Sequence, residues 1–487
     1  MSTAQNPTGN SLGESRTENV HSGASRTLCV QWALAVLIPL AVYCACAAVG
    51  LPPKQTAFFT ITSMALVLWG IGLMSDTFVA IALPILYIVF QIGKPGQILN
   101  AWTSSVGWVV VGGLVFANIM MRTGLARRLA IWALYITRGS FTRLLWGILL
   151  AGFLICPAIP SVMGKAALIS VVCIGICEAL NLERQSKAAS AVILAGFIGI
   201  ATSKLGILTG AADITMYIGQ MSHVMGKPVS WGAYFLHNFP LSCLYGALSL
   251  LTLILVLKPT IAKDSSEYVV KAHADLGPMD SGEKKAGALI LILILLLLTD
   301  QMHGLDAGWI IIMLSFIAFL PAVGLMNEKI FQKVSLAPVF FVVGCMSIGS
   351  AATASGADKM LVEAIAPMFK GQSDLSAMLF GYLAGTAMNF LLTPLAAFSA
   401  MTVPLTELAL EVGVSPIPLM YAFSYGLEQY LFPYEYAALL FFYATGWVHL
   451  RHIMLVFFVR FFVALMLLIL VAYPYWSMLG VFEPIIR

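Results

Sequence analysis

The stretch Ile159-Pro160-Ser161-Val162-Met163-Gly164-Lys165 decides the fold of this chain. It lies in the middle of an apolar run, 142–180, that is long enough to cross a bilayer. Pro160 and Gly164 interrupt that run, and Lys165 places a charge at its centre. A run broken at mid-length gives two shorter helices, 142–159 and 161–180, joined as a hairpin; a hairpin that enters and leaves a membrane by one side is the expectation, and a full double crossing gives the same parity. Ser161 is a helix-capping residue at the start of the second arm. The free N–H groups and positive dipole end expected there suit an anion.

The rest of the chain has the composition that such a hairpin needs. Of 487 residues, 60% are hydrophobic and 10% charged, against about 25% charged in a soluble domain. Runs such as Gln31–Gly50, Thr56–Met74 and Ala286–Leu298 with its flanks are of transmembrane type. The short alternating segments of a transmembrane β-barrel do not occur. Lipid offers no partner to backbone N–H and C=O groups, so the spans are helices. The expected fold is all-α and polytopic, with about 11 transmembrane helices plus two re-entrant hairpins. No histidine pair has metal spacing, and no two of the eight cysteines form a Cys-x-x-Cys. The cysteines sit in apolar runs, where small buried hydrophobes are expected.

The organisation is read as follows. Residues 1–30 form a polar, disordered and uncleaved cytoplasmic tail, and 31–53 carry the first transmembrane helix. Residues 54–258 make a first repeat with its hairpin at 142–180. A cytoplasmic linker covers 259–284. Residues 285–474 make a second repeat with its hairpin at 374–411, and 475–487 form a C-terminal tail. Each repeat holds two plain helices, a long segment, a hairpin, a long interrupted segment and a closing helix. Val111-Gly112 and Thr123-Gly124 align with Val343-Gly344 and Ser355-Gly356, and Pro160 with Pro394. An internal repeat of this kind is a transporter signature. One-sided hairpins give each copy an odd number of crossings, so the copies are inverted. With the N-terminus inside, Lys54, Lys94, Lys227, Lys359, Lys370 and Arg487 fall outside, and Lys165, Lys204 and Arg460 lie within apolar segments. The remainder of the 26 Lys and Arg fall on the cytoplasmic side. That bias fits the positive-inside rule and a multi-pass protein of the bacterial inner membrane.

Charge at mid-membrane is costly and marks function. Ser161 and Lys165 are the first candidates for substrate contact. Lys204 is the second, with Thr202, Ser203, Thr209 and Gly210 around it; it either faces substrate or pairs with Asp213 or another buried acid. The matching region of the second repeat runs from Phe423 to Tyr436. Glu428 and Glu435 there either neutralise a buried lysine, carry a coupled proton or orient substrate hydroxyls, and Tyr434 and Tyr436 are substrate candidates. Pro433 breaks the helix and frees carbonyls. The second hairpin tip, Leu392 to Ser399, offers only Thr393 and Ser399 as polar handles. The candidate site is thus Ser161, Lys165, Lys204, Thr209, Thr393, Ser399, Tyr434 and Tyr436 for substrate, with Thr202, Glu428 and Glu435 for coupling. No metal site or cofactor is expected beyond a candidate coupling sodium ion.

At these residues the chain resembles the divalent anion:sodium symporter family of the ion transporter superfamily, over most of 54–474. Ser161 matches the serine of that family's Ser-Asn-Thr hairpin tip, while Val162 and Met163 replace the asparagine and threonine. Lys165 falls where exchangers of the family carry arginine. Phe432-Pro433 and Ala444-Thr445-Gly446-Trp447-Val448 are similar to the family's Leu-Pro and Gly-Thr-Gly-Tyr-Val, and Gly199-Ile200-Ala201-Thr202 resembles the stretch before the equivalent first motif. The resemblance implies a homodimer in lipid, with an elevator-like transport domain, carrying di- or tricarboxylates, sulfate or related anions. The lost Asn and Thr favour exchange or proton coupling over sodium. The chain therefore reads as a secondary transporter of a small organic anion, with no nucleic-acid partner. An efflux permease for an inorganic oxyanion or another acid is the alternative. A membrane-embedded enzyme would need a nucleophile–base pair or a metal cluster, and a channel would need repeated rings of charge; neither pattern is present.

Overall fold

The computed structural model describes residues 14–71, 73–137, 139–157, 159, 161–260, 266–360, 373–390 and 392–483, without the side chains of 14–29, 70, 76, 266–267, 301 and 434. The described residues are helical with no strand. The chain is an all-α polytopic membrane protein. Among the described residues, seven helices are long and apolar enough to cross a membrane, and three apolar helices of 10–17 residues accompany them.

The first half contains α1 (Glu14–Val49), α2 (Pro53–Ile71), α3 (Asp76–Val89), α4 (Ser105–Thr123), α5 (Leu125–Ile136), α6 (Phe141–Ile155), α7 (Val162–Ala179), α8 (Lys187–Leu205), α9 (Ala212–Met225) and α10 (Trp231–Leu257). After α11 (Ser266–Ala274) come α12 (Ser281–Leu298), α13 (Ala307–Ile317), α14 (Ala337–Ser355), α15 (Asp374–Asn389), α16 (Pro394–Glu411), α17 (Pro416–Leu427), α18 (Ala437–Ala444), α19 (Leu450–Leu467) and α20 (Tyr473–Met478). Serines punctuate the starts: Ser140, Ser161, Ser186 and Ser230 each accept a backbone N–H three residues on. These caps satisfy donors that lipid cannot.

The two halves repeat both the order of elements and their packing. Arm α6 lies on α8 as α15 lies on α17, and α9 meets α16 as α18 meets α7. Likewise α3 packs on α14 and α13 on α4. Gly124 and Gly356 end equivalent helices in the left-handed region, at φ +80° and +74°, which favours glycine. Close packing of each arm on its interrupted helix rests on glycine too. A Cβ on Gly152 would lie 2.5 Å from the Gly199 carbonyl carbon, and one on Gly426 would overlap the Tyr382 carbonyl.

Three expectations change. Helix α1 begins at Glu14, inside the segment expected to be a disordered tail, because the apolar run extends its helix upstream without a stop signal. The linker 259–284 contains α11, which packs on α5. Arg128 fastens this linker, donating to both Glu283 oxygens at 2.8 and 2.9 Å and to the Leu276 and Gly277 carbonyls. The C-terminal segment is helical as far as Met478.

Gly152→Val forces α6 away from α8 and is expected to cost about 1–3 kcal/mol of stability, the usual cost of overpacking. Gly96→Ala meets nothing within 4 Å and should leave the melting temperature in detergent where it was. Equal melting temperatures for the two variants would show that the glycine contact does not hold the arm.

Candidate functional site

A cavity of about 430 Å³ lies where the two hairpin tips meet the two helix breaks. The first tip contributes Ser161, Val162 and Met163, and the second contributes Thr393, Pro394 and Leu395. Ala212, Asp213 and Thr215 come from the break between α8 and α9, and Tyr436 and Ala437 from the break between α17 and α18. The facing wall is largely apolar, with Val109, Val110, Leu114, Phe341 and Val342, and carries Thr77 and Ser335.

The four helices of the tips and breaks, α7, α9, α16 and α18, begin at this cavity, and α3 and α14 also start there, with Thr77, Ala337 and Pro338. Ser161 caps the first, its hydroxyl accepting from Gly164 N at 3.2 Å. At the N-termini of α9, α16 and α18 no side chain accepts a cap hydrogen bond. Each helix start carries free N–H groups and the positive end of a dipole. Pro394 lacks an N–H, which removes one donor from α16.

The lysines do not face the cavity. Lys165 is fully buried behind the first tip, where Nζ donates to the Gly210 carbonyl at 2.7 Å and to Cys156 Sγ at 3.3 Å. The expectation of direct substrate contact is corrected to a role behind the tip: the ammonium ties α7 to the first break. Lys204 is also fully buried. Its Nζ donates to Asp213 Oδ2 at 2.7 Å and to the Tyr436 hydroxyl at 3.3 Å, and pairs with Glu428 Oε1 at 2.6 Å. It also stands 4.8 Å from the Tyr436 ring centroid. Of the two readings open for Lys204, pairing with buried acids is the one adopted.

The other expected residues divide in the same way. Ser161, Thr393 and Tyr436 line the cavity. Thr209 does not, since its hydroxyl accepts from Trp231 Nε1 at 3.2 Å. Thr202 is buried and donates to Ile198 O, and Ser399 is buried and donates to Leu395 O; both hydroxyls serve their own helices. Glu428 reaches only Lys204 with Oε1, while Oε2 is buried without a partner. Glu435 pins the second break: its carboxylate accepts from Leu431 N at 2.8 Å, Phe432 N at 3.2 Å and Asn389 Nδ2 at 3.2 Å. Pro160 and the side chain of Tyr434 lie outside the described residues. Asp213 was considered only as a partner for Lys204, yet it also forms cavity wall; its place in the first turn after the break was the available signal. Thr77 and Ser335 belong to distant segments and gave no signal. Among the described residues no group of His, Cys, Asp and Glu is placed to hold a metal ion.

Residues 26–482 match the family described as the sodium:sulfate symporter transmembrane region. The chain belongs to this family. It is the divalent anion:sodium symporter group that the first hairpin tip and the C-terminal motifs resemble. L-tartrate/succinate antiporters from Shigella sonnei and from Escherichia coli K12 are each 22% identical to it over 409 residues, covering 78% of this chain and 82% of theirs. A membrane protein of Cupriavidus necator is 23% identical over 270 residues, 55% of this chain and 53% of its own, so that match spans about half of each. Membership of the sodium:sulfate symporter family makes the chain an anion transporter of the membrane and not an enzyme.

Removing Lys204 should strand two buried carboxylates. Lys204→Ala is expected to cost about 3–5 kcal/mol, as for other broken buried pairs. Adding Asp213→Asn and Glu428→Gln to Lys204→Met should restore much of that loss. Thermal unfolding of the purified variants reads the difference, and a single variant as stable as the parent would remove the ion cluster from the account.

Proposed function

We propose that the chain is a secondary transporter of small dicarboxylates of the tartrate and succinate class, working by anion exchange without sodium. The observation that carries this reading is the convergence of four helix N-termini on one cavity. Their free N–H groups and dipoles supply donors for two carboxylates. The apolar stretch of wall suits the carbon chain between them, and the volume exceeds what a lone inorganic oxyanion fills. The antiporter relatives support the same substrate class.

The coupling argument rests on the tips. Val162 and Met163 bring no oxygen where a hydrated cation would need ligands. The carbonyl of Gly210, a natural cation ligand at the first break, is already taken by the Lys165 ammonium. A fixed positive charge then stands beside the site in every state of transport. With the N-terminus in the cytoplasm of a bacterial inner membrane, Thr77 and Ser335 mark the cytoplasmic mouth, and the cavity opens inward. Alternation of access by an elevator-like movement of the hairpins and breaks, within a homodimer, completes the reading.

The test is counterflow into proteoliposomes. Labelled succinate should enter vesicles preloaded with succinate or tartrate at the same rate in choline as in sodium. A strict need for sodium would overturn the exchange reading, and no uptake of any four-carbon dicarboxylate would overturn the substrate class.

Single tip substitutions should have graded effects. Ser161→Ala and Thr393→Val each remove one hydroxyl from the cavity. Each is expected to weaken succinate binding by about 1 kcal/mol, roughly fivefold, in a thermal-shift titration. Thr209→Val, which touches no cavity wall, should leave the titration midpoint in place.

A further inference from the structure

Two carboxylates share a single ammonium at the rim of the cavity. Asp213 Oδ2 and Glu428 Oε1 stand 2.7 and 2.6 Å from Lys204 Nζ. The two acids therefore cannot be farther apart than those distances added together, and both lie in a poorly solvated interior. Like charges at that range repel, and a single ammonium balances only one of them. Arg460 is a second buried cation, within electrostatic reach of Glu428. Its hydrogen bonds run from Nη1 to the main-chain carbonyl of Glu428 at 3.1 Å and from Nε to Ser249 Oγ at 3.1 Å.

Tyrosines lie around the pair. Tyr436 takes the remaining bond from Lys204. Tyr430 is stacked on Tyr436 with 4.8 Å between ring centroids, and its hydroxyl lies beside the Glu428 carboxylate. Tyr217 and Tyr245 are the further titratable groups within electrostatic reach, the first of Asp213 and the second of Glu428. Glu428 Oε2 and the Tyr430 hydroxyl are both buried and without a hydrogen-bond partner. Asp213 is the member that lines the cavity, so it is the way in from cavity water.

We propose that Asp213 and Glu428 together bind one proton, and that its uptake is linked to occupancy of the cavity by a dianion. The proposal rests on the anion site argued above. A dianion beside Asp213 adds two negative charges to a cluster in which one lysine already serves two acids. A proton taken from cavity water removes one of them without disturbing the bond from Lys204 to either residue. The protonated form binds the anion more tightly, so affinity is high at low pH and falls as pH rises through the titration of the pair. For one linked proton the fall is about tenfold per pH unit once the pair is ionised.

Isothermal titration of the purified full chain with tartrate tests this. Tartrate is fully dianionic across the neutral range, so the proton counted belongs to the protein. Run in buffers of different ionisation enthalpy, the titration should show uptake of about one proton per anion bound. Asp213→Asn and Glu428→Gln each leave Lys204 one carboxylate partner, and size-exclusion elution checks that both variants fold. Each should abolish the proton uptake and flatten the pH dependence of whatever affinity remains. Tartrate binding with no proton uptake at any pH would overturn the proposal and leave the anion site standing. Uptake that survives in both variants would also overturn it, because the proton would then sit elsewhere. Absence of binding by tartrate and succinate alike would remove the anion site and this proposal with it.

Discussion

The buried ammonium of Lys204 is the constraint on which the site depends. It stands in the last turn of α8, and its partners come from three other helix ends: Asp213 at the start of α9, Glu428 at the end of α17 and Tyr436 at the start of α18. One side chain thereby joins all four ends that flank the two breaks. An interrupted helix inside a membrane protein leaves backbone groups without partners, and such breaks persist only where protein or a cavity satisfies them. Here a single charge cluster crosses both breaks and fixes their distance. The positions also agree with the helix dipoles in two cases. A lysine suits the C-terminal end of α8 and an aspartate the N-terminal end of α9. Glu428, at a C-terminal end, has the dipole against it and depends on Lys204 the more.

A second tier of contacts holds the tips against the breaks. Lys165 reaches from α7 to the Gly210 carbonyl, and Asn389 from α15 donates to the Gln429 carbonyl and to Glu435. The two repeats solve the same problem with unlike chemistry. In the first a full positive charge meets a break carbonyl; in the second a neutral amide does, and the negative charge is placed on the break itself. Glycine contacts repeat more faithfully, since backbone approach between arm and interrupted helix leaves no room for a side chain in either half. Packing is thus shared by the repeats while charge is not.

Much of the fold was legible because the interruptions are written in residue types. Pro160, Gly164, Gly210 and Pro433 break apolar runs, and a break in lipid admits few structures. Burial was less legible. Helix α8 is buried on every side, so no periodicity told which of Thr202, Ser203 and Lys204 would turn to the cavity, and none does. Lys165 was read as a cavity charge from its distance to the tip, but one turn of helix carries it behind the tip and toward Cys156. Ser399 and Thr209 failed for a related reason, because a hydroxyl in an apolar interior is satisfied by the nearest carbonyl or indole before it is available to a ligand. The expected residues that line the cavity, Ser161, Thr393 and Tyr436, are those at helix starts. There the local rule and the tertiary position coincide. Asp213 obeyed the same rule, but its pairing with Lys204 hid its place on the wall.

The balance of charge explains why the proposed anion site rests on helix starts and not on side chains. Around the cavity Lys204 is outnumbered by Asp213 and Glu428, and Arg460 is engaged by a main-chain carbonyl. Lys165 adds a positive charge at the first break, but it stands behind the tip, tied to a neutral carbonyl. Donors for direct contact are the N–H groups at the starts of α7, α9, α16 and α18, whose partial charges cannot be neutralised by moving a side chain. Such donors are fixed by the backbone and need no reorganisation when the anion arrives. They also hold the anion loosely enough to release it, because each contributes a fraction of a charge. A guanidinium in the same place would form a bidentate pair that a carrier must break in every cycle. The retreat of both lysines behind the cavity wall follows from that requirement.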